Sequence, residues 1–259
     1  MKHDNVMLVF GRARSGTTWL ANMLSNNYNI RFIEEPFREH VSKNDRYIRV
    51  FDNNTKDLIA GFTNGYHDKY YVIKEVRLNH NVEWFYNRYD GIKACAIIRH
   101  PFGSIFSCMK FTREFFSNPF LKMYSLPNGL NSYEPAYIDI RATYTWLWCA
   151  ENMMILDSAD KTGMPIIQYE NLVKNTTEEL GKVDWCLTPE KMASYTKGGP
   201  TTVQSWSKPK DIWYWKDLLT KEDIIVIEKT IDAFCDKHNP SERFMNVLVG
   251  YGIFEGGLR

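Results

Sequence analysis

The chain has 259 residues, 44% of them apolar and 15% aromatic, and its 32 Lys and Arg nearly balance 31 Asp and Glu, for a formal net charge of +1. That balance excludes a general polyanion binder, the apolar content excludes a disordered chain, and the length suits one α/β domain over 1–259. Apolar runs such as Val6–Phe10 fall far below the roughly 20 residues of a membrane span, and the five scattered cysteines form no C-x-x-C pair, so a soluble cytoplasmic protein is expected.

Short β-rich runs alternate with helical patterns. Val6–Phe10 reads as a fully buried strand. It runs into Gly11-Arg-Ala-Arg14-Ser15-Gly16-Thr17-Thr18-Trp19, which opens a helix predicted over Thr17–Ser25. Backbone N–H groups in a glycine loop at a helix N-terminus favour an anion. The spacing fits a P-loop frame, but Thr17 stands where a nucleotide kinase or NTPase needs lysine, and the cation comes earlier, at Arg14. Trp19 is either core or a ring offered to a bound base. Strand Ile30–Ile33 leads to Glu34 and Glu35, and register decides which of the two faces inward, because strand side chains alternate. Strand Tyr70–Val76 carries Lys74 near its end and Arg77 just beyond.

A helix is predicted over Asn81–Tyr89, then a strand over Ala94–Ile98 that ends at Arg99. A guanidinium there can grip phosphate oxygens in bidentate fashion. Pro101 fits the start of a helix over Phe102–Phe116, with Ser104 and Ser107 one turn apart on one face. Two anion-favouring loops imply a ligand with two anionic groups. Ser117–Glu134 and Lys197–Trp215 read as irregular lid or acceptor-binding segments, with Phe116 and Tyr124 as candidate lining residues. Helix Pro135–Asp160, strand Pro165–Tyr169, helix Asn171–Leu180 and helix Lys221–His238 complete the series. The fold class expected is α/β, a P-loop NTPase-like three-layer α/β/α arrangement around a mainly parallel sheet. Its ligands would sit at the carboxyl ends of the strands.

Together these residues resemble the sulfotransferases that use 3′-phosphoadenosine 5′-phosphosulfate (PAPS) and release PAP. Gly11–Trp19 is similar to their 5′-phosphosulfate loop, and Arg99-His-Pro with Ser107 to their 3′-phosphate motif. Glu34-Glu35-Pro36 and Lys74-Glu-Val-Arg77 resemble the carbohydrate and tyrosylprotein branches. Tyr169-Glu-Asn-Leu172 and Trp215-Lys-Asp-Leu also have family counterparts, so the likeness runs over about residues 6–219.

The resemblance implies that the amides of Ser15–Thr18, with Arg14 and the Thr17 and Thr18 hydroxyls, hold the 5′-phosphosulfate. It assigns Trp19 to adenine, with Tyr169 close by. Arg99 and Ser107 take the 3′-phosphate, and Lys208 is a candidate clamp. Arg14 and Lys74 would stabilise the leaving phosphate. Glu35 is the expected general base, with Glu34, His40, His80 and His100 as rivals, since cytosolic members use a histidine. Arg77 would bind an anionic acceptor or pair with a carboxylate such as Glu75. No metal is expected, because a sulfonyl group carries little charge compared with a phosphoryl group. The acceptor implied is a small molecule or a glycan, with neither nucleic acid nor membrane as partner. A P-loop kinase and a non-catalytic nucleotide-binding module are the competing readings.

Overall fold

Every residue of β1 (Val6–Phe10) is buried, which requires cover on both faces of the sheet. The computed structural model describes residues 3–25, 30–36, 59, 69–76, 78–115, 139–183, 185 and 212–254; in 112–115 it describes the backbone only. The five strands are β1, β2 (Ile30–Glu34), β3 (Tyr70–Glu75), β4 (Lys93–Ile98) and β5 (Ile166–Gln168). They lie in the order β2-β3-β1-β4-β5, and each described pairing is parallel. From β1 the chain crosses to β2 and β3 on one side and then to β4 and β5 on the other. The loops after β1 and β4 therefore leave in opposite directions, which is the switch point where such sheets bind ligands.

The alternation of β1 divides the core. Val6, Leu8 and Phe10 pack with Val82 and Phe85 of α2 (Val82–Arg88), and with Ile155 and Ala159 of a long later helix. Met7 and Val9 pack with Leu20, Ala21 and Leu24 of α1 (Thr17–Ser25). A third cluster joins α3 (Pro101–Phe115) and α4 (Ile140–Thr162) to α7 (Lys221–His238) and α8 (Glu242–Gly250). It includes Trp146, Trp148, Phe234 and Phe244, and gives the sheet its outer layer.

Several expected boundaries move. Strand Pro165–Tyr169 shortens to Ile166–Gln168, and Tyr169 opens a helix. The single helix expected over Asn171–Leu180 is two, α5 (Tyr169–Lys174) and α6 (Thr176–Gly181), because Asn175 leaves the helical region at φ −130° and ψ 63°. Helix α4 starts later than Pro135, where the Asp139 carboxylate accepts the Arg141 N–H. It ends at Gly163, whose φ of 72° is the left-handed cap. Asn79–Asn81 form a 3-10 turn ahead of α2. Helix α8 was not expected from the sequence. His40, Arg77, Phe116, Tyr124, Lys208 and the 117–134 segment lie outside the described residues, and of 197–215 only 212–215 fall within them.

Candidate active site

The loop after β1 turns on backbone conformations that side chains rarely adopt. Gly16 has φ 94°, and a Cβ there would lie 2.6 Å from Tyr169 Cδ2. At Gly11 a Cβ would meet the Ile97 carbonyl oxygen at 2.7 Å. Arg14, with φ 72°, is one of three described non-glycine residues at positive φ; the others are Glu35 (44°) and Asn239. Asn239 is a helix cap, a place where asparagine is commonly found. Strained residues persist only where their surroundings hold them, and Arg14 and Glu35 are both predicted site residues.

Around Arg14 the two loops meet. Its Nε donates to Ser107 Oγ at 3.1 Å, and its guanidinium stands 5.1 Å from the Phe111 ring centroid. Arg99 Nη1 donates to the Arg14 carbonyl at 3.2 Å, and its guanidinium lies 4.5 Å from the centroid of the Tyr169 ring. The register explains that contact. Ile98 pairs with Gln168 across β4 and β5, so the next residues, Arg99 and Tyr169, leave the sheet side by side. Trp19 meets Tyr169 edge-on, with centroids 5.7 Å apart. The structure therefore brings Arg14, Gly16, Trp19, Arg99, Ser107 and Tyr169 together.

The Arg99 turn is held from behind. Trp148 Nε1 donates to the Arg99 carbonyl at 3.1 Å, and the His100 N–H donates to Glu170 Oε1 at 3.1 Å. His100 Nδ1 accepts from the Phe102 N–H, so its Nε2 carries the proton toward the Tyr251 carbonyl at 3.2 Å. Burial lowers His100 to about 4, and the charges of Lys216 and Arg99 act in the same direction. This histidine is neutral, packed on Trp215 with centroids 4.7 Å apart, and serves as a brace. Burial likewise raises Glu170 and, well above its usual range, Tyr251.

At the next strand ends, Lys74 is buried at 4% exposure. Its Nζ donates to Glu34 Oε1 at 2.7 Å and to Glu35 Oε1 at 2.9 Å. The expected alternation fails here for a specific reason. The Glu35 N–H still reaches the Lys74 carbonyl at 2.9 Å, but its positive φ turns the chain so that both carboxylates face one ammonium. Glu34 is 55% exposed and Glu35 19%, so Glu35 is the shielded member. The surround of Glu35 thus contains the Lys74 ammonium.

An anionic nucleotide fits this arrangement. Among the described residues, Ser15 Oγ, Ser104 Oγ, Arg99 Nε and Trp215 Nε1 are buried without a hydrogen-bond partner. Four donors left over around two loops suit a ligand rich in acceptors. Ser15 spends its own N–H on the Arg12 carbonyl at 3.1 Å, which leaves the amides that follow it at the start of α1 for an anion. Thr17 is buried and Thr18 half-buried. Residue types alone did not mark Trp148, Glu170 and Trp215 as parts of this site. Trp215 and Glu170 did lie within named motifs, Trp-Lys-Asp-Leu and Tyr-Glu-Asn-Leu, and Trp148 lay in none.

A strand order of 2-3-1-4-5 with a glycine loop after the central strand defines the P-loop class of three-layer α/β/α folds. Within that class the fold is that of the sulfotransferases. The mouse sulfotransferase SULT7A1 complexed with PAP matches at a TM-score of 0.57 and 13% identity, over 98% of this chain and 90% of its own. The sulfotransferase domain from the curacin biosynthetic pathway matches at 0.51 and 16%, over 93% and 99%. Retinol dehydratase, in a complex with retinol and PAP, matches at 0.51 and 11%, over 91% and 82%. No protein-family model and no curated protein matches the sequence.

Proposed function

We propose that this chain is a PAPS-dependent sulfotransferase acting on a hydroxyl or amine of a small-molecule or carbohydrate acceptor. The observation that carries this reading is the meeting of Arg14, Ser107, Arg99 and Tyr169 at the switch point, with Glu35 and Lys74 at the strand ends beside it. When bound, PAPS supplies an electrophilic sulfonyl group on a phosphate leaving group. The loop amides and Arg14 then face the 5′ end, Arg99 and Ser107 the 3′-phosphate, and Trp19 and Tyr169 the adenine.

Glu35 takes the proton from the acceptor as its oxygen or nitrogen bonds to sulfur and the bond from sulfur to the phosphate oxygen breaks. Lys74 orients Glu35 and places a fixed positive charge where negative charge develops on the leaving oxygen. Lys208 and Arg77 keep their sequence-based roles, as 3′-phosphate clamp and acceptor contact, and Phe116 and Tyr124 as acceptor-lining residues. A cytoplasmic location belongs to the same reading.

Labelled PAPS offered to a panel of sugars, phenols and alkyl alcohols tests it. Transfer of label is expected to at least one acceptor. Glu35→Gln should lower kcat by about 100-fold or more, the ordinary worth of a general base, while PAP binding is retained. A Glu35→Gln enzyme of near wild-type kcat would remove Glu35 from this role.

A further inference from the structure

A buried polar chain joins the loop after β1 to the middle of α4, and the sulfonyl chemistry makes no use of it. The Gly11 N–H donates to Asn79 Oδ1 at 3.1 Å. Asn79 Nδ2 donates to the Val76 carbonyl at 3.3 Å and to Glu151 Oε2 at 3.4 Å. Arg12, the next loop residue, places its Nε 3.8 Å from the same Glu151 oxygen and donates from Nη1 to Cys108 Sγ at 3.0 Å. Its guanidinium also lies 5.7 Å from the Tyr144 ring centroid. Arg12, Asn79 and Glu151 are 4%, 2% and 5% exposed.

A carboxylate buried in the middle of a helix is expensive. Desolvation raises Glu151 to about 7, with Arg12 and the Asn79 amide pulling the other way. An aliphatic side chain would fill the same space without that cost. What Glu151 gains from its position is a hold on two consecutive loop residues, one through an amide and one through a charge. That loop has positive φ at Gly11, Arg14 and Gly16, a shape that lasts only when the surroundings over-determine it.

We propose that Glu151 is a positioning residue for the anion cradle, holding Gly11 through Asn79 and Arg12 through its charge, so that the loop keeps its binding shape before the donor arrives. This rests on the reading of that loop as the donor site. Preorganisation of this kind acts on affinity, because a loop already ordered loses less freedom on binding.

The test compares wild type, Glu151→Gln, Asn79→Ala and the double variant as full chains. Three quantities are read: PAP affinity by calorimetry, kcat and donor KM, and amide exchange over residues 11–18. Each single variant is expected to raise PAP Kd and donor KM about tenfold, with kcat within about twofold. The double variant should be worse than either single, since it releases Gly11 and Arg12 together. Loop amides should exchange faster in all three. Folded variants with unchanged PAP Kd and unchanged loop exchange would overturn the proposal, as would a fall in kcat at constant KM. Asn79→Ala leaves the Arg12–Glu151 contact intact and carries the test if Glu151→Gln fails to fold. If the wild type itself does not bind PAP, the sulfotransferase reading falls, and the exchange comparison alone still decides whether Glu151 holds the loop.

Discussion

Gly16 carries a constraint that no other residue type meets. Its φ of 94° is costly for any residue with a Cβ, and the added carbon would sit 2.6 and 2.9 Å from the edge of the Tyr169 ring. Tyr169 cannot swing aside freely, because Arg99 stacks on it and Trp19 abuts it. Gly16→Ala is therefore expected to lower stability by about 1–3 kcal/mol and to weaken PAP binding at least tenfold. Urea unfolding and calorimetry read the two effects. A variant with wild-type affinity would show that the ring contact does not shape the cradle. Arg14 and Glu35 have the same character, since each pairs an unfavourable backbone with a polar side chain aimed at a partner.

Helix ends and strand ends, more than helix faces, organise the site at the scale of elements. Tyr251 caps α8, and its carbonyl accepts from His100 one residue after Arg99, so α8 braces the β4 turn. This brace has a pH signature. His100 is at about 4 in the folded chain, against 6.5 for a free histidine, so the unfolded chain binds the extra proton between those values. The contribution is fully present above pH 6.5 and is lost as pH falls toward 4, amounting to about 2 kcal/mol between pH 7 and 5. Glu151, raised to about 7, tilts the curve the opposite way, favouring the folded chain as pH falls from 7 toward 4.5. The readout is therefore the difference between wild type and His100→Gln in urea unfolding at the two pH values. Equal pH slopes in the two proteins would show that His100 does not titrate between the folded and unfolded states.

Elements of this kind were largely legible beforehand. Val6–Phe10 and Ala94–Ile98 are apolar throughout, and Thr17–Ser25 and Lys221–His238 were both expected as helices; the Thr220–Asp223 capping box that starts the second emerged only in the structure. The break at Asn175 was not legible, because the pattern across 171–180 is continuous and only the backbone angles part the two helices. Arg12 drew no separate assignment for a similar reason: its buried partner, Glu151, stands far along the chain on another helix. Glu35 was singled out, yet its shared ammonium with Glu34 depends on a positive φ that residue types do not announce.

On the proposed reading, a chain of net charge +1 holds a small polyanion. The cations are local. Arg14, Lys74 and Arg99 stand at the carboxyl ends of three adjacent strands, β1, β3 and β4, with Glu34 and Glu35 on Lys74. Recognition of this kind is short-range and depends on placed donors, so it needs no long-range positive field. It also separates two readings of one fold, because a kinase-type site requires a magnesium-bridged triphosphate and a lysine where this chain has Thr17. Calorimetric titration of PAP into the wild-type chain, in buffer with EDTA and no magnesium, tests the central claim most directly. The account predicts one PAP per chain at micromolar affinity or better, and at least tenfold weaker binding after Arg99→Ala or for a nucleotide without the 3′-phosphate. Absence of PAP binding, together with magnesium-dependent binding of ATP, would contradict it.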